Sequence, residues 1–323
     1  PELREAVAAK LERDNGLVYS PSEIIASCGG KHSLYNAMQA LLGEGDEVVI
    51  PGPYWVSYVD MVTLAGATPK VVMGSEADGF KLGAEALEAA IGPSTRAVLL
   101  NSPSNPTGAA YDGEELAALA AVLARAECWV ISDDVYEMIR YDGLRPDHLL
   151  KLEPGLRERT IICNSVSKTY AMTGWRIGYT AAPEPVVRAM ATIQGQSTSN
   201  PTAIAQAAAA AALAGPQGEL ETMVAEFRSR RDYVCERINS IDGLSVKVPE
   251  GAFYVFVNVK GALESKGLAD GDAFALAALE NASVGLVGGN DFGSAEHVRI
   301  SYATSMENLE RSLDLIEDWL RAG

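Results

Sequence analysis

The chemistry of this chain is indicated most clearly by one segment, Ser165-Val166-Ser167-Lys168-Thr169-Tyr170-Ala171-Met172-Thr173-Gly174-Trp175-Arg176. Lys168 follows a strand-like apolar run and a cluster of small hydroxyl side chains, and Arg176 comes shortly after it. An amine placed in this way can hold an aldehyde as a Schiff base, while hydroxyl and guanidinium groups can bind a phosphate. The segment therefore predicts a site for a phosphorylated aldehyde such as pyridoxal phosphate. A bare Ser-x-x-Lys is weak support, because many surface loops contain it by chance.

Length and composition describe a folded globular protein. The chain has 323 residues, 48% hydrophobic and 21% charged, and this length predicts two domains. Its net charge of −17 argues against a nucleic-acid partner, which would require a basic face. No apolar run reaches membrane-spanning length, and the four cysteines lack metal or redox spacing. We expect reduced thiols, no membrane span and a cytoplasmic location.

Short apolar runs alternate with longer amphipathic ones over most of the sequence. This alternation predicts an α/β fold, with a mostly parallel sheet flanked by helices over residues 1–235 and a smaller α+β domain over residues 236–323. The second part is predicted to contain strands at 244–248, 253–259 and 297–303 and a closing helix capped by Thr304 and Glu307. The strands predicted for the first part are Glu23–Ser27, Glu47–Ile50, Lys70–Met73, Ala97–Leu100, Trp129–Ser132, Thr160–Cys163 and Ile177–Ala181.

Glycines and an aromatic residue follow two of these strands. Gly30 and Lys31 stand between a strand and a helical run, where the backbone can approach an anion and the helix N-terminus attracts it. An ordinary tight turn is an equally good interpretation of this pair. Trp55 follows the second predicted strand, and an indole in that position can lie flat on an aromatic cofactor. Core packing is the commoner role of a tryptophan.

Polar groups follow two further strands. Asn105 lies in Asn101-Ser102-Pro103-Ser104-Asn105-Pro106-Thr107-Gly108, a stiff loop that can hold its amide in one place or form a structural turn. Asp133 ends the next strand and can keep a pyridine nitrogen protonated, with Tyr136 placed to donate to the ring oxygen. No third ligand at usable spacing accompanies Asp133 and Asp134, so a metal site is not expected.

Arg299 lies in the predicted strand His297-Val298-Arg299-Ile300-Ser301-Tyr302. A strand arginine usually points to solvent, but its planar guanidinium can also bind a carboxylate through two hydrogen bonds. The sequence leaves both possibilities open.

These segments in this order resemble the fold-type I, class I/II aminotransferases, and most closely the bacterial aspartate aminotransferases. The likeness runs from Pro1-Glu2-Leu3-Arg4 through Pro53-Tyr54-Trp55-Val56-Ser57-Tyr58 and Gly251-Ala252-Phe253-Tyr254 to Arg299-Ile300-Ser301-Tyr302-Ala303-Thr304. It implies pyridoxal phosphate bound as a Schiff base to Lys168. It also implies ping-pong transamination, most simply between L-aspartate and 2-oxoglutarate.

The resemblance also implies residue roles. Trp55 would stack on the cofactor ring, Asp133 would pair with its nitrogen and Tyr136 with its oxygen. The phosphate would be held by Gly30, Lys31, Ser165 and Arg176. Arg299, helped by Asn105, would bind the substrate α-carboxylate.

The family pattern further implies a homodimer with active sites at the subunit interface. Members carry a segment before the point corresponding to Pro1, which supplies a glycine contact to substrate and a tyrosine for the neighbouring subunit's phosphate. Three alternatives remain. The first is an aminotransferase with aromatic, alanine or prephenate specificity. The second is a β-lyase or a 1-aminocyclopropane-1-carboxylate synthase on the same scaffold, and the third is the sensor half of a transcription regulator. The acidic charge and the Pro1-Glu2-Leu3-Arg4 match argue against the last.

Overall fold

The computed structural model describes residues 1–144 and 147–322. Its largest element is a seven-stranded sheet with the strand order β1-β7-β6-β5-β4-β2-β3. The strands from β3 to β6 are parallel, and β7 runs antiparallel to both of its neighbours. The strands are β1 Ile24–Ser27, β2 Glu47–Gly52, β3 Thr68–Met73, β4 Thr95–Asn101, β5 Trp129–Asp133, β6 Thr160–Ser165 and β7 Gly178–Ala181.

The central strands are apolar on both faces because helices cover both sides of the sheet. Successive residues alternate between two cores: Val98 and Val130 pack in one, whereas Leu99 and Ile131 pack in the other. The helices of this region are α1 Glu2–Lys10, α2 Gly30–Leu41, α3 Ser57–Leu64, α4 Ala84–Ala90, α5 Gly113–Arg125, α6 Leu149–Leu152, α7 Val166–Thr169, α8 Glu184–Gly195, α9 Ala203–Ala214 and α10 Gly218–Asn239. The predicted α/β class and its seven strands are confirmed.

A second, smaller sheet follows along the chain, with the order β8-β10-β9 and antiparallel pairing. Its helices and strands pack around a third apolar cluster that includes Val255, Val257 and Val298. The elements are β8 Tyr254–Asn258, α11 Lys260–Lys266, α12 Gly271–Ala282, β9 Val287–Gly288, β10 His297–Ser301 and α13 Met306–Arg321.

Two local predictions in this second region are wrong. Residues 244–248 form a single bridge from Ser245 to Asn258 rather than a strand, because the Asn239 side chain pairs with both the N–H and the C=O of Val246. The closing helix is capped by Ser305, whose hydroxyl accepts the Asn308 N–H at 3.2 Å. Thr304 instead accepts a hydrogen bond from the Asn308 side chain.

We propose that residues 1–235 and 236–323 form two domains. The boundary lies inside α10, a continuous helix whose buried residues Val234, Cys235 and Ile238 pack with the core of the smaller sheet. In the ranges 1–144 and 147–322, no helix has the length and apolar character needed to cross a membrane.

The direction of the strands determines where a site can form. The parallel strands β2, β4, β5 and β6 end at one edge of the large sheet, and β1 points the same way. In open α/β sheets, ligands bind at this carboxyl edge. The predicted segments after these strands therefore converge there.

Candidate active site

A cavity of about 300 Å³ lies at this carboxyl edge. All ten residues singled out from the sequence line it: Gly30, Lys31, Trp55, Asn105, Asp133, Tyr136, Ser165, Lys168, Arg176 and Arg299. The structure thus brings together residues from five strand ends and from β10 of the smaller sheet. The cavity also includes Leu34, Tyr58, Asn101, Val135, Ser167, Thr173 and Tyr254, which sequence reasoning did not assign.

One end of the cavity is built to hold an anion. Gly30 begins α2, whose first backbone N–H groups have no partner within the helix. Ser165 is the N-cap of α7, and its hydroxyl accepts the Ser167 N–H at 3.3 Å. A Cβ on Gly30 would lie 3.4 Å from the Cβ of Ser165, so the two segments approach closely. Helix N-terminal amides and a hydroxyl at one point are typical of phosphate sites.

Arg176 completes this end of the cavity. Its backbone has φ of 55°, in the left-handed region, and its guanidinium donates to the Thr173 carbonyl at 2.9 Å. A Cβ on Gly29 would lie only 2.3 Å from Nη2 of Arg176, and a Cβ on Gly178 would lie 2.4 Å from the Gly29 carbonyl carbon. Two glycines therefore make room for the guanidinium beside the start of α2.

Lys168 lies on the short helix α7 and lines the cavity. Its Nζ lies 5.2 Å from the ring centre of Phe253 and 5.8 Å from that of Tyr136. Burial lowers the pKa of Lys168, and the positive charges of Arg299 and Arg176 lower it further. A lowered pKa increases the fraction of neutral amine, which is the form that attacks an aldehyde.

Asp133 lies at the end of β5 and is buried. The Tyr58 hydroxyl donates to its Oδ2 at 2.6 Å, and the Val135 N–H donates to its Oδ1 at 3.3 Å. Burial raises the pKa of Asp133 to about 6, although the Tyr58 hydrogen bond acts in the opposite direction. A protonated nitrogen placed beside this carboxylate would favour its charged form.

Tyr136 is buried one turn beyond Asp133. Its hydroxyl lies 2.9 Å from the hydroxyl of Tyr254, with either atom able to donate. Burial raises the pKa of Tyr136 well above its usual value, so the phenol remains protonated. It can therefore act as a hydrogen-bond donor inside the cavity.

Arg299 projects from β10 and lines the same cavity. Its Nη1 donates to Oδ1 of Asn105 at 2.8 Å, and its guanidinium carbon lies 4.6 Å from the ring centre of Tyr254. The Nε of Arg299 is buried and has no hydrogen-bond partner among the described residues. An unsatisfied buried donor on a guanidinium fits the two-bond binding of a carboxylate.

Trp55 forms a wall of the cavity. Its indole meets the Tyr58 ring edge-on, with ring centres 5.3 Å apart. Nζ of Lys31 lies 4.9 Å from the centre of the Trp55 ring. This wall therefore combines a flat aromatic surface with a positive charge.

The polar groups that line the cavity fit pyridoxal phosphate. An amine with a lowered pKa, a buried carboxylate, a phenol donor and an anion-binding end line one cavity. The unassigned residues Tyr58, Asn101 and Tyr254 lie within the quoted motifs, but sequence spacing did not show which way they point. Within the described ranges, no group of three or more His, Cys, Asp or Glu side chains is arranged to hold a metal ion.

Comparison with known proteins shows similarity to aminotransferases over nearly the whole chain. A sequence model of the class I and II aminotransferases matches residues 1–316. The chain is 51% identical to an aspartate/prephenate aminotransferase of Cereibacter sphaeroides, over 98% of this chain and 81% of that protein. It is 46% identical to an aspartate aminotransferase of Geobacillus stearothermophilus, over 100% and 82% respectively. The crystal structure of the Rhizobium meliloti aspartate aminotransferase superposes with a TM-score of 0.95 at 47% identity, covering 99% of this chain and 82% of that one.

Proposed function

The chain belongs to the class I and II aminotransferases, and from that premise we propose that it transfers the amino group of L-aspartate to 2-oxoglutarate. It is a pyridoxal-phosphate-dependent enzyme, because that cofactor serves the family as a whole. The observation that best supports the proposal is the single cavity that is lined by Lys168, by the anion-binding residues Ser165 and Arg176, and by Arg299.

When bound, pyridoxal phosphate supplies an aldehyde that accepts the amino group and a ring that withdraws electrons from the substrate Cα. Lys168 would hold this aldehyde as a Schiff base, and its free amine would accept the proton from the substrate Cα. Asp133 would keep the ring nitrogen protonated, Tyr136 would donate to the ring oxygen, and Trp55 would stack on the ring.

Two anionic groups would be held in the cavity. The phosphate would be bound by Gly30, Lys31, Ser165 and Arg176, and the substrate α-carboxylate would be bound by Arg299 with the help of Asn105. Because both groups would be fixed, the substrate Cα would be held near Nζ of Lys168.

The names of the relatives favour a dicarboxylic substrate, since several are aspartate aminotransferases. Four side chains that can carry a positive charge line the cavity, Lys31, Lys168, Arg176 and Arg299, against the one carboxylate of Asp133. A phosphate and one substrate carboxylate together match this charge, so the cavity suits an anionic substrate without itself selecting a second carboxylate.

The substrate proposal is tested by a half-reaction. The protein is reconstituted with pyridoxal phosphate and mixed with L-aspartate in the absence of any keto acid. We expect the absorption band of the lysine-bound cofactor to be replaced by that of pyridoxamine phosphate, and 2-oxoglutarate to restore it. If the band does not respond to aspartate, aspartate is not the substrate. A response to an aromatic amino acid, or to prephenate with an amino donor, would then identify the substrate instead.

A β-lyase is the second candidate, because it would use the same lysine and phosphate site. It would release a keto acid and ammonia while the cofactor band persists. Measuring ammonia alongside the spectrum distinguishes the two reactions, since transamination releases none.

We also propose that the enzyme is a cytoplasmic homodimer. Its four cysteines are free thiols, as in proteins of reducing compartments. A groove beside Arg176 is lined by Tyr35 and Leu64 among other residues, and Leu64 is 71% exposed. Leu64→Arg should shift the sedimentation coefficient toward that of a monomer. Val18→Arg, at a site of 70% exposure elsewhere, is the matched control.

A further inference from the structure

A buried network of hydrogen bonds lies directly behind the phosphate end of the cavity. Its centre is Glu137, a buried carboxylate in the turn that follows β5. Lys10 of α1 forms an ion pair with Glu137, Asn15 donates to its Oε2 at 2.7 Å, and Asn164 donates to its Oε1 at 2.6 Å. Nζ of Lys10 also donates to the Asn15 side chain at 2.8 Å. The carboxylate is therefore fully hydrogen-bonded, although it is removed from water.

Asn164 connects this network to the proposed cofactor site. Its Nδ2 is bound to Glu137, and its Oδ1 accepts the backbone N–H of Ser165 at 2.7 Å. The hydroxyl of Ser165 lies close to Gly30, and Ser165 caps the helix that carries Lys168. The amide nitrogen and the amide oxygen of Asn164 thus both form hydrogen bonds, so the side chain has a single orientation.

We infer that Asn164, held by Glu137, is a positioning residue that sets Ser165 for phosphate binding. The inference rests on the proposed phosphate site. Glu137 belongs to the segment that carries Asp133 and Tyr136, whereas Asn164 belongs to the segment that carries Ser165. One buried carboxylate therefore holds the two walls of the cofactor site in register, and Lys10 neutralises its charge from outside the cavity.

The test compares pyridoxal phosphate with pyridoxal, which lacks the phosphate. If Asn164 acts through Ser165, Asn164→Ala should weaken binding of pyridoxal phosphate about tenfold, as expected for loss of one well-placed hydrogen bond to an anion. Affinity for pyridoxal should stay within about twofold, because the aldehyde and ring contacts are unchanged. Equal loss for both ligands, or no loss for either, would overturn the inference.

A side-chain exchange provides a matched control. Asn164→Asp retains an acceptor for the Ser165 N–H but places a second carboxylate against Glu137, so it should weaken pyridoxal phosphate binding. Adding Glu137→Gln restores a donor–acceptor pair and should recover most of the affinity. Failure of the double variant to recover binding counts against the inference. Asn164→Asp and the double variant also test the inference if Asn164→Ala does not fold.

Ser165→Ala distinguishes this inference from the proposed function. If Ser165→Ala leaves the ratio of the affinities for pyridoxal phosphate and pyridoxal unchanged, the proposed phosphate site is wrong. If Ser165→Ala changes that ratio and the Asn164 variants do not, only the role of Asn164 is refuted.

Discussion

Gly29→Ala should weaken cofactor binding without a direct change to any group that touches the cofactor. Gly29 has φ of 95° and ψ of 162°, a conformation open essentially only to glycine, and holding an alanine there costs about 1–3 kcal/mol. The added Cβ would also lie 2.3 Å from Nη2 of Arg176 and displace the guanidinium. Losing one charge-assisted hydrogen bond to the phosphate costs about 1.5–3 kcal/mol, or about 10- to 100-fold in affinity.

The assay is a fluorescence titration of the apoenzyme with pyridoxal phosphate, combined with urea unfolding of the apoenzyme. Gly45→Ala is the matched control, because Gly45 has φ of 89° and nothing within 4 Å of its added Cβ. Both variants should lose unfolding free energy through backbone strain, but only Gly29→Ala should lose cofactor affinity. Equal cofactor affinities in the two variants would refute the argument that Gly29 makes room for Arg176.

Three further predictions concern the buried carboxylate and the fold. Because burial raises the pKa of Asp133 to about 6, that carboxylate loses its proton as the pH rises through 6 and can then pair with a protonated ring nitrogen. The affinity for pyridoxal phosphate should therefore rise with pH across this range, and more steeply in the wild type than in Asp133→Asn. The Asp133→Asn variant is the control, because titration of the phosphate affects both proteins equally. Tyr58→Phe removes a hydrogen bond that lowers the pKa of Asp133, so the midpoint of this rise should move to higher pH; an unchanged midpoint would contradict the role of Tyr58. Asp112→Ala removes the cap of α5, where the Asp112 side chain accepts the Glu115 N–H at 2.8 Å, and should lower the unfolding free energy by about 1 kcal/mol while leaving cofactor affinity unchanged.

The large sheet was predictable because its strands have a simple physical signature. Buried parallel strands appear as continuous apolar runs, and runs such as Ala97–Leu100 and Thr160–Cys163 are bounded by turn residues. Polar residues after such strands share one edge of the sheet, so the gathering of Asp133, Asn105 and Ser165 follows from strand direction alone.

Contacts between distant segments were not predictable in the same way. The hydrogen bond from Tyr58 to Asp133 depends on β4 lying between β2 and β5, which no local pattern reveals. The pairing of Lys10 with Glu137 joins residues 127 positions apart. The false strand at 244–248 has suitable apolar residues, but the Asn239 side chain occupies the backbone groups of Val246 that a neighbouring strand would need. Side chains that satisfy backbone groups in this way override local propensity.

The central claim is that Lys168 holds the cofactor at the carboxyl edge of the sheet. The most direct measurement is borohydride reduction of the protein reconstituted with pyridoxal phosphate, followed by peptide mass spectrometry. We predict that the mass of the reduced cofactor appears on the peptide that contains Lys168, and that Lys168→Ala folds normally but has lost both the label and transamination. A label on another lysine at full stoichiometry, or near-normal turnover by Lys168→Ala, would contradict the account.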